Sequence, residues 1–286
     1  MRGFSELENK IGFAYCVDLG IMDYSYAFDL QVRFAKLRKE NKICDIIFCV
    51  QHNPVISFGA AKKHNGFSQQ FLEEVRNRFG NDDLSNVIEY LKQQGIQFYD
   101  AGSGFNGATR GGGSTYIGPG QLVVYPVVDY KKILKLKDSL GISEYKTVID
   151  NIMLDVLHEY YNIGAKAFKV TDILPDEDRR DRKDIWIEKK NRFYKIGSKG
   201  IHFSDNIAHH GFSIFVNKEG IKGFDKILVC GYTKDQLDVT SMEHEIGENI
   251  DIDEVKRLVI NKVQKYFGYD DIIETTLDQI RERDGI

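Results

Sequence analysis

Several patterns that would assign a chain to a class at once are missing from this sequence. Its four cysteines contain no CxxC pair and no zinc-type spacing, so we expect reduced thiols and no metal site. No apolar run approaches the ~18 residues that a membrane helix requires. The first residues, MRGFSELENK, contain no apolar signal region. These absences predict a cytoplasmic protein without a membrane partner.

An excess of positive charge is also missing. The 39 Lys and Arg residues are outnumbered by 43 Asp and Glu residues, which gives a net charge of -4 and argues against a nucleic-acid partner. The P-loop pattern GxxxxGK[ST] does not occur. Gly102, Gly104 and Gly107 spell GxGxxG but run into further glycines instead of opening a helix. Neither nucleotide fingerprint therefore fits, and we predict no cofactor.

What the chain has instead is an ordinary globular composition and one unusual loop. The 286 residues are 42% hydrophobic and 29% charged, which predicts a single domain over residues 1–286. The loop contains three consecutive glycines, Gly111 to Gly113, where the backbone either takes positive φ or lies bare against a ligand. Arg110 opens it with a fork of donors, and the strand-like run Gln121–Pro126 follows it. The pattern favours a binding loop that leads into a buried strand, with a plain turn as the alternative.

Hydrophobic periodicity predicts alternating strands and helices along the rest of the chain. The predicted strands are Ile11–Asp18 (ended by Gly20), Cys44–Val50, Ile96–Tyr99, Gln121–Pro126, a pair within Ile201–Asn217, and Ile227–Cys230. The predicted helices are Asp23–Glu40, Phe67–Phe79, Asp82–Gln94, Ser143–Tyr161 and Asp253–Phe267. The charged stretch Pro175–Lys195 is expected to return through a hairpin. Surface insertions are expected near residues 67–80 and 172–184, and an acidic helical segment over residues 248–286.

Cys230 is the candidate nucleophile. It follows an apolar run and precedes Gly231, so its thiol is expected at the end of a strand, facing a turn. The alternative is a buried inert thiol, which is how Cys16, Cys44 and Cys49 are interpreted. A nucleophilic thiolate requires a cation or a base nearby. The candidates for that role are Lys195, Lys199, His202, His209 and His210.

Two long motifs lie upstream of that cysteine. Residues Arg110–Pro126 read RGGGSTYIGPGQLVVYP, which is similar to a known family pattern RGGxxTYHGPGQLVxYP. Residues His52–Gly59 read HNPVISFG, which is similar to HxPVxTxG of the same family.

Two shorter motif pairs follow in the family's order. KIGSKG and HGFS stand at Lys195–Gly200 and His210–Ser213, and CG and VTS at Cys230–Gly231 and Val239–Ser241. Through these motifs the chain resembles the octanoyltransferases of lipoate synthesis, also called lipoyl(octanoyl) transferases, in the lipoate-ligase and biotin-ligase superfamily. The resemblance implies an α/β fold of the α+β type, in which helices flank a mixed, largely antiparallel sheet.

The resemblance also implies an activity and a site. Cys230 matches the cysteine that takes an octanoyl group from acyl carrier protein as a thioester, and Lys195 matches the lysine that lowers its pKa. The acyl group then passes to a lysine of a lipoyl domain, such as that of a dehydrogenase E2 subunit or the glycine cleavage H protein, and the enzyme is expected to be a monomer. The implied substrate-binding residues are Arg110, Gly111, Gly112, Gly113, Ser114, Thr115, Tyr116, Ile117, Ser198, Lys199, Gly200, His210, Gly211, Phe212 and Ser213. Val123 or Phe212 is expected to line an apolar slot for the acyl chain.

Two positions depart from the family pattern. Ile117 stands where the family has a histidine, and Ser57 where it has a threonine. If that histidine orders or polarises the pocket, this protein is expected to have a different donor, a compensating His52 or His210, or reduced activity. Two other functions stay open at this point: an ATP-dependent lipoate or biotin ligase, and a weakened homologue that binds lipoyl domains without transfer.

Overall fold

The computed structural model describes residues 12–59, 66–102, 110, 113–135, 141–169 and 183–284. Its strands are β1 Phe13–Met22, β2 Asp45–His52, β3 Val55–Phe58, β4 Gln97–Asp100, β5 Ser114–Ile117, β6 Gln121–Asp129, β7 Lys166–Lys169, β8 Lys183–Lys189, β9 Arg192–Ser204, β10 Ile207–Phe215, β11 Leu237–Val239 and β12 Asp271–Thr275. Its helices are α1 Tyr24–Lys39, α2 Gln69–Phe79, α3 Leu84–Gln93, α4 Tyr130–Ile133, α5 Ile142–Asp155, α6 Met242–Ile246, α7 Ile252–Phe267 and α8 Leu277–Asp284. A π-helical turn, Val156–Tyr160, extends α5, and a 3-10 helix spans Lys218–Lys226.

Two sheets organise the described part of the chain. The large sheet has the strand order β12-β1-β2-β6-β10-β9-β8-β7, with β11 beside β9, and the small sheet has the order β4-β3-β5. Antiparallel pairs join β2 to β6, β6 to β10, β10 to β9 and β9 to β8, whereas β1 runs parallel to both of its neighbours. The mixed, largely antiparallel sheet flanked by helices is therefore as predicted.

Strand alternation separates the core into two faces of the large sheet. On β6, Leu122, Val124 and Val128 belong to the cluster under α5 and α7. Val123, Tyr125 and Val127 belong to the cluster under α1. Since successive side chains of a strand point to opposite faces, this division identifies an α5 face and an α1 face. A third cluster joins the small sheet to α2, α3 and the 3-10 helix.

Most predicted elements are present, with shifted ends. Gly20, predicted to end the first strand, lies inside β1: it has a φ of +63°, and the register with β2 shifts between Asp18 and Ile21. The strand therefore bulges there and continues to Met22. At α1, Asp23 is the N-terminal flanking residue as predicted, but its carboxylate accepts from Asn53 and Gln97 and makes no helix-cap bond.

Two further predictions are corrected by the structure. Ile227–Cys230 is not a strand: the 3-10 helix ends at Lys226, and isolated bridges and a turn follow. The segment 248–286 is not only helical, because β12 pairs in parallel with β1 inside it. Val255, Val259 and Val263 of α7, within the same segment, are fully buried. Residues 172–182, part of a predicted insertion, lie outside the described residues.

Candidate functional site

The two long sequence motifs meet in the small sheet. β3 comes from HNPVISFG, β5 comes from RGGGSTYI, and they pair antiparallel with Ser57 opposite Thr115 and Val55 opposite Ile117. Both strands are short and flanked by Pro and Gly, which confines each to four residues. The glycine loop is thereby anchored at its C-terminal end. Gly111 and Gly112 lie outside the described residues.

Arg110 holds this loop from inside. Its Nη2 donates to the carbonyl oxygens of Ser57 at 2.9 Å and Gly113 at 2.8 Å. Its Nε donates to the Ser57 hydroxyl at 3.3 Å. The buried guanidinium therefore joins the glycine loop to β3, and a hydroxyl is what this contact requires at position 57. Serine and threonine both supply such a hydroxyl, so the serine that stands where the family has a threonine keeps this contact.

Neighbouring residues of β5 face different clusters. The Tyr116 ring packs edge-on to Phe224 at 5.8 Å between ring centroids, in the third cluster, and burial raises the pKa of its hydroxyl to about 12. Ile117 is buried in the cluster under α1 together with Val55 and Tyr125. Position 117, where the family histidine is missing, is thus an apolar contact on the α1 face of the large sheet.

The strand β9 presents its two lysines to opposite faces. Lys199 forms an ion pair with Asp150 of α5, and a Cβ on Gly197 would meet Met153 of the same helix. Lys195 instead contacts Trp186 of the third cluster, with its ammonium 5.8 Å from the ring centroid. A register shift between Ile185 and Trp186 separates the two lysines and explains the change of face. The Lys199 side chain therefore lies on the opposite face from Lys195, and only its backbone can contact groups on the Lys195 face.

Lys195, Asp184 and Cys230 form one cluster. The Lys195 Nζ lies 2.8 Å from Asp184 Oδ2 and 3.7 Å from Cys230 Sγ, and Cys230 Sγ lies 3.8 Å from the same carboxylate oxygen. Burial lowers the pKa of the Lys195 ammonium, but the charges of Asp184 and Cys230 outweigh it and leave that pKa above its ordinary value. Lys195 is therefore a fixed cation at neutral pH and not a proton acceptor.

Cys230 occupies a tight turn. The Tyr232 amide donates to the Val229 carbonyl at 3.0 Å, which closes a four-residue turn around Cys230 and Gly231. Their φ angles are +53° and +81°, as in a type I′ turn. Positive φ costs a non-glycine residue about 1–2 kcal/mol, and such strain persists where surrounding contacts fix the backbone. The turn presents the sulfur to Lys195.

Strand β11 fixes the other side of Lys195. It pairs in parallel with β9, with Val239 opposite Lys195, and the Thr240 amide donates to the Lys195 carbonyl at 2.9 Å. Ser241 then accepts from the His244 amide at 3.2 Å and begins α6. The VTS motif is therefore explained by its contacts: it holds the strand that carries the lysine.

Asp184 is the functional candidate that the sequence analysis missed. It stands in a stretch dense in charges of both signs, where no spacing distinguishes one acidic residue from the others. The only signal is the predicted hairpin, because pairing β8 with β9 brings acidic residues of the first strand beside Lys195. The exact register depends on the bulge, which the sequence does not reveal.

A local distortion of β10, without a change of register, places His210. Pro126 lies in the central strand β6, where it has no N–H to give to β10. The pairing of these two strands is interrupted between Ala208 and Phe212, and His210 has a φ of +57° within the gap. A Cβ on Gly211 would come within 2.2 Å of the Val124 carbonyl oxygen. The proline of one motif and the glycine of the other are thus parts of one close contact.

His210 has one nitrogen in use and one free. Gln31 donates its side-chain amide to the Ala27 carbonyl, so its oxygen is the acceptor of both the His210 amide at 2.9 Å and the His210 Nδ1 at 3.1 Å. The proton therefore resides on Nδ1, and Nε2 is a buried acceptor without a hydrogen-bond partner among the described residues. Burial lowers the pKa of this imidazole well below its ordinary value, so it is neutral.

The remaining candidates are His52 for compensation and Phe212 or Val123 for the acyl slot. His52 faces the Met22 carbonyl through Nδ1 at 2.9 Å and the Tyr125 hydroxyl through Nε2 at 2.8 Å, so both of its nitrogens are occupied. Phe212 is buried in the cluster under α5 and α7, whereas Val123 lies in the cluster under α1. Of the two predicted slot residues, only Val123 faces the same side of the sheet as Ile117. Of the two histidines, only His210 has a free nitrogen.

Polar atoms of the remaining wall residues lie on β9 and β10. Ser198 and Ser213 stand opposite each other, as do Gly200 and Gly211. Within the described ranges, the Ser198 hydroxyl and the Trp186 Nε1 are buried without a hydrogen-bond partner, which is unusual for buried polar groups. Among the residues that the structure describes, no group of three His, Cys, Asp or Glu side chains has the arrangement of a metal site. No helix in the same ranges is long and apolar enough to cross a membrane.

Comparison with known proteins agrees with the resemblance. The chain matches the model of the lipoyl protein ligase A/B catalytic domain over residues 23–264. An octanoyltransferase of Caldicellulosiruptor saccharolyticus is 30% identical over 250 residues, which cover 87% of this chain and 85% of that protein. An octanoyltransferase of Koribacter versatilis is 28% identical over 244 residues, which cover 85% and 80%.

Solved structures show the same fold. A bipartite lipoate protein ligase of Thermoplasma acidophilum has a TM-score of 0.61 at 15% identity and covers 96% of this chain and 90% of that one. Lipoate-protein ligase A bound with ATP has a TM-score of 0.59 at 15% identity and covers 96% and 94%. The lipoate-ligase-like fold expected from the motifs is therefore confirmed.

Proposed function

Because the chain belongs to the lipoyl protein ligase A/B catalytic-domain family, we propose that it is an octanoyltransferase with a cysteine thioester intermediate. The donor is octanoyl or lipoyl acyl carrier protein, and the acceptor is a lysine of a lipoyl domain, such as that of an E2 subunit or the H protein. The proposal places the reaction in the cytoplasm and in a monomer. Relatives at 28% and 30% identity that bear the name octanoyltransferase support the reaction type.

The observation that carries the proposal is the 3.7 Å contact between Lys195 Nζ and Cys230 Sγ. An ammonium at that distance favours the thiolate, which is the nucleophilic form of cysteine. The thiolate attacks the donor thioester, the bond from the carbonyl carbon to the donor sulfur breaks, and the donor departs as a thiol after taking a proton. The lysine amine of the acceptor then attacks the Cys230 thioester, an amide forms, and the cysteine is released.

The test is the mass of the protein after incubation with octanoylated acyl carrier protein. One added octanoyl group is expected on the native chain and none on Cys230→Ala. The matched control is Cys44→Ala, which removes another incompletely buried thiol and is expected to retain acylation. Acylation that persists in Cys230→Ala would remove the thioester from the mechanism.

A second mass measurement, on the lipoyl domain, distinguishes the proposed transferase from an ATP-dependent ligase. An ATP-dependent ligase acts on the free acid and forms no enzyme thioester. Octanoate with ATP and magnesium is therefore expected to give no modified lipoyl domain, whereas octanoylated carrier protein gives it without ATP. The opposite pattern would replace the proposal with a ligase activity, and binding of the lipoyl domain without any transfer would indicate the weakened homologue.

A further inference from the structure

The carboxylate of Asp184 lies between the two groups of the proposed dyad, in contact with both. Its Oδ2 is 2.8 Å from Lys195 Nζ and 3.8 Å from Cys230 Sγ, and its Oδ1 accepts from the Lys199 amide at 3.1 Å. Asp184 and Lys195 are both buried. A carboxylate that faces a thiol opposes ionisation of that thiol, since like charges repel strongly at this distance in a poorly solvated site.

The charge of the cluster differs among the states of the reaction. With a protonated thiol, the Lys195 ammonium and the Asp184 carboxylate cancel. With an acylated cysteine they cancel again, because a thioester is neutral. Among these three groups, only the ionised thiolate gives a net negative charge. Asp184 and Lys195 are buried and Cys230 is partly buried. Since uncompensated charge is costly where solvent is largely excluded, the two neutral states are favoured over the thiolate.

We propose that Asp184 is a positioning residue of this site: it holds the Lys195 ammonium beside Cys230 and keeps the buried cluster electrically neutral in both the thiol and the acyl-enzyme states. The acyl-enzyme part of this inference rests on the proposed function. The thiol part concerns only the ionisation of Cys230. The proton that the thiol loses on acylation ends on the departing thiol of the donor, so the cluster has the same net charge before and after the step.

Two other charged residues of the neighbouring strands, Lys199 and Asp238, make different contacts. On β9, Lys199 turns its ammonium to Asp150 on the α5 face and offers only its amide to Asp184. On β11, Asp238 accepts from the Val239 amide at 2.9 Å. On β8, Trp186 contributes an aromatic face to the Lys195 ammonium. The ionisable groups that act on Lys195 are Asp184 and Cys230.

The experiment measures the pH dependence of Cys230 alkylation by iodoacetamide, followed by peptide mass mapping. In Asp184→Asn the thiolate pairs with Lys195 without a competing anion, so the midpoint is expected to fall by at least about one pH unit. The lower basicity of the thiolate offsets part of the gain, so alkylation below both midpoints is expected to be about threefold faster. Asp184→Glu, which returns the charge, is expected to move the midpoint back toward the native one.

Acylation is expected to change in the opposite direction. In Asp184→Asn the acyl-enzyme leaves the Lys195 ammonium without its anion, so the fraction acylated at equilibrium with octanoylated carrier protein is expected to fall. A residue with only a structural role would lower both reactivities together. Asp45→Asn is the matched control, because Asp45 is a buried carboxylate paired with Arg38 at 2.6 Å at the beginning of β2. It is expected to lower stability and leave the Cys230 midpoint at its native value.

The outcomes separate this inference from the proposed function. An unchanged or raised midpoint in folded Asp184→Asn overturns the role of Asp184, whatever happens to acylation. A lowered midpoint with no acylation of any variant, native chain included, supports the thiol part of that role and removes the octanoyl transfer. If Asp184→Asn does not fold, Asp184→Ser leaves room for a water and carries the same expected shift and the same contrary outcome.

Discussion

Lys195 carries a buried positive charge, and its effect can be measured as the pKa of the Cys230 thiol. Replacing Lys195 by Ala removes the cation 3.7 Å from that sulfur and leaves the Asp184 carboxylate oxygen 3.8 Å from it. The thiol pKa is therefore expected to rise to at least the free value of ~8.5, and alkylation at neutral pH is expected to slow. Lys195→Arg restores the charge without the geometry, because the planar fork is wider than an ammonium.

The same pH profile of alkylation also tests whether a group other than Lys195 stabilises the thiolate. Lys189→Ala is the control, since that lysine pairs with Glu245 and is exposed. An unchanged profile in Lys195→Ala would assign the role to another group. Lys195→Ala is expected to raise the midpoint of Cys230 alkylation and Asp184→Asn to lower it. General damage to the site cannot produce both shifts.

Ile117 is the residue at which the chain departs from its family, and its effect on rate is a separate prediction. Losing a donor from a site of this kind costs roughly 3 kcal/mol of barrier, about a hundredfold in rate, when nothing replaces it. His210 Nε2 is a free, buried nitrogen on a ring that lies 6.4 Å from Tyr125, which belongs to the same cluster as Ile117. If His210 compensates, Ile117→His is expected to give little gain in octanoyl transfer, or a loss through overpacking.

Steady-state transfer to a lipoyl domain measures this effect. Ile117→Leu keeps the volume and controls for packing alone. A large gain in Ile117→His would show an uncompensated defect and would remove His210 from the explanation. Because Nε2 is an acceptor in the resting tautomer, the compensation requires either a donor on the substrate or transfer of the ring proton. His210→Phe is expected to lower transfer in the native background.

At the scale of elements, the motif residues are explained by contacts between strands more than by contacts with a ligand. Pro126 removes a donor from β6, and the pairing of β10 with β6 is interrupted around His210, which has a positive φ. Gly211 lets β10 approach the Val124 carbonyl. Val239 pairs with Lys195, and the adjacent Thr240 amide bonds to its carbonyl. Each motif was found in the sequence, whereas these pairings join residues far apart in the chain and could not be predicted from local pattern.

The elements themselves were largely predictable because their signals are local. The helix α7 follows the spacing of Val255, Val259 and Val263, and Gly80 ends α2 in the left-handed conformation. Cys230 was predicted at the end of a strand because an apolar run precedes it. The run is buried, but it packs against the small sheet as a 3-10 helix end and a turn, so burial and strand pairing are not equivalent.

One glycine of the 3-10 helix gives a stability test at this scale. A Cβ on Gly223 would lie 2.2 Å from the Tyr116 ring, which is itself held against Phe224. Gly223→Ala is therefore expected to lower the free energy of unfolding by about 1–3 kcal/mol through overpacking. Gly164→Ala is the control, because nothing lies within 4 Å of its added methyl group, and there a small gain of about 0.4–1 kcal/mol is expected.

Urea unfolding at equilibrium measures both glycine substitutions. If Gly223→Ala were as stable as Gly164→Ala, the Tyr116 ring would be free to move, and its tight packing against the 3-10 helix would be wrong. Because Tyr116 follows Thr115 in β5, a shift of the ring is also expected to disturb the strand that ends the glycine loop.

The whole molecule is organised around a sheet whose two faces carry different chemistry. The α5 face is an apolar core closed by α5 and α7, with Lys199 paired to Asp150 within it. The other face carries α1, the small sheet and the polar groups of the site. The sequence predicted the sheet and its helices, but not this division, because the bulge in β9 changes which face each following residue occupies and the positive φ of His210 redirects that side chain.

That polar face contains three buried neutral histidines, which predict how stability depends on pH. Burial lowers the pKa of His52 to about 4 and that of His209 to about 3, and it lowers the pKa of His210 well below 6.5. In the unfolded chain each is expected to titrate near ~6.5. Between pH 6.5 and the lowered folded values, the unfolded state binds more protons than the folded state. The stability that depends on keeping these histidines neutral is therefore fully present above pH 6.5 and is lost as the pH falls below it.

The size of the effect follows from proton linkage. Each histidine contributes about 1.4 kcal/mol per pH unit once its unfolded form is protonated, so the three together give a slope of up to about 3–4 kcal/mol per unit between pH 6 and 5. The carboxylates with lowered pKa values, such as Asp23 and Asp253, affect stability only below this pH window.

Urea unfolding at pH 7, 6 and 5 measures the slope. His209→Phe keeps a buried ring and is expected to remove about one third of it, whereas exposed His244→Gln is expected to leave it unchanged. A native slope near zero across this window would mean that the three imidazoles reach water in the folded chain and are not buried neutral groups of the site.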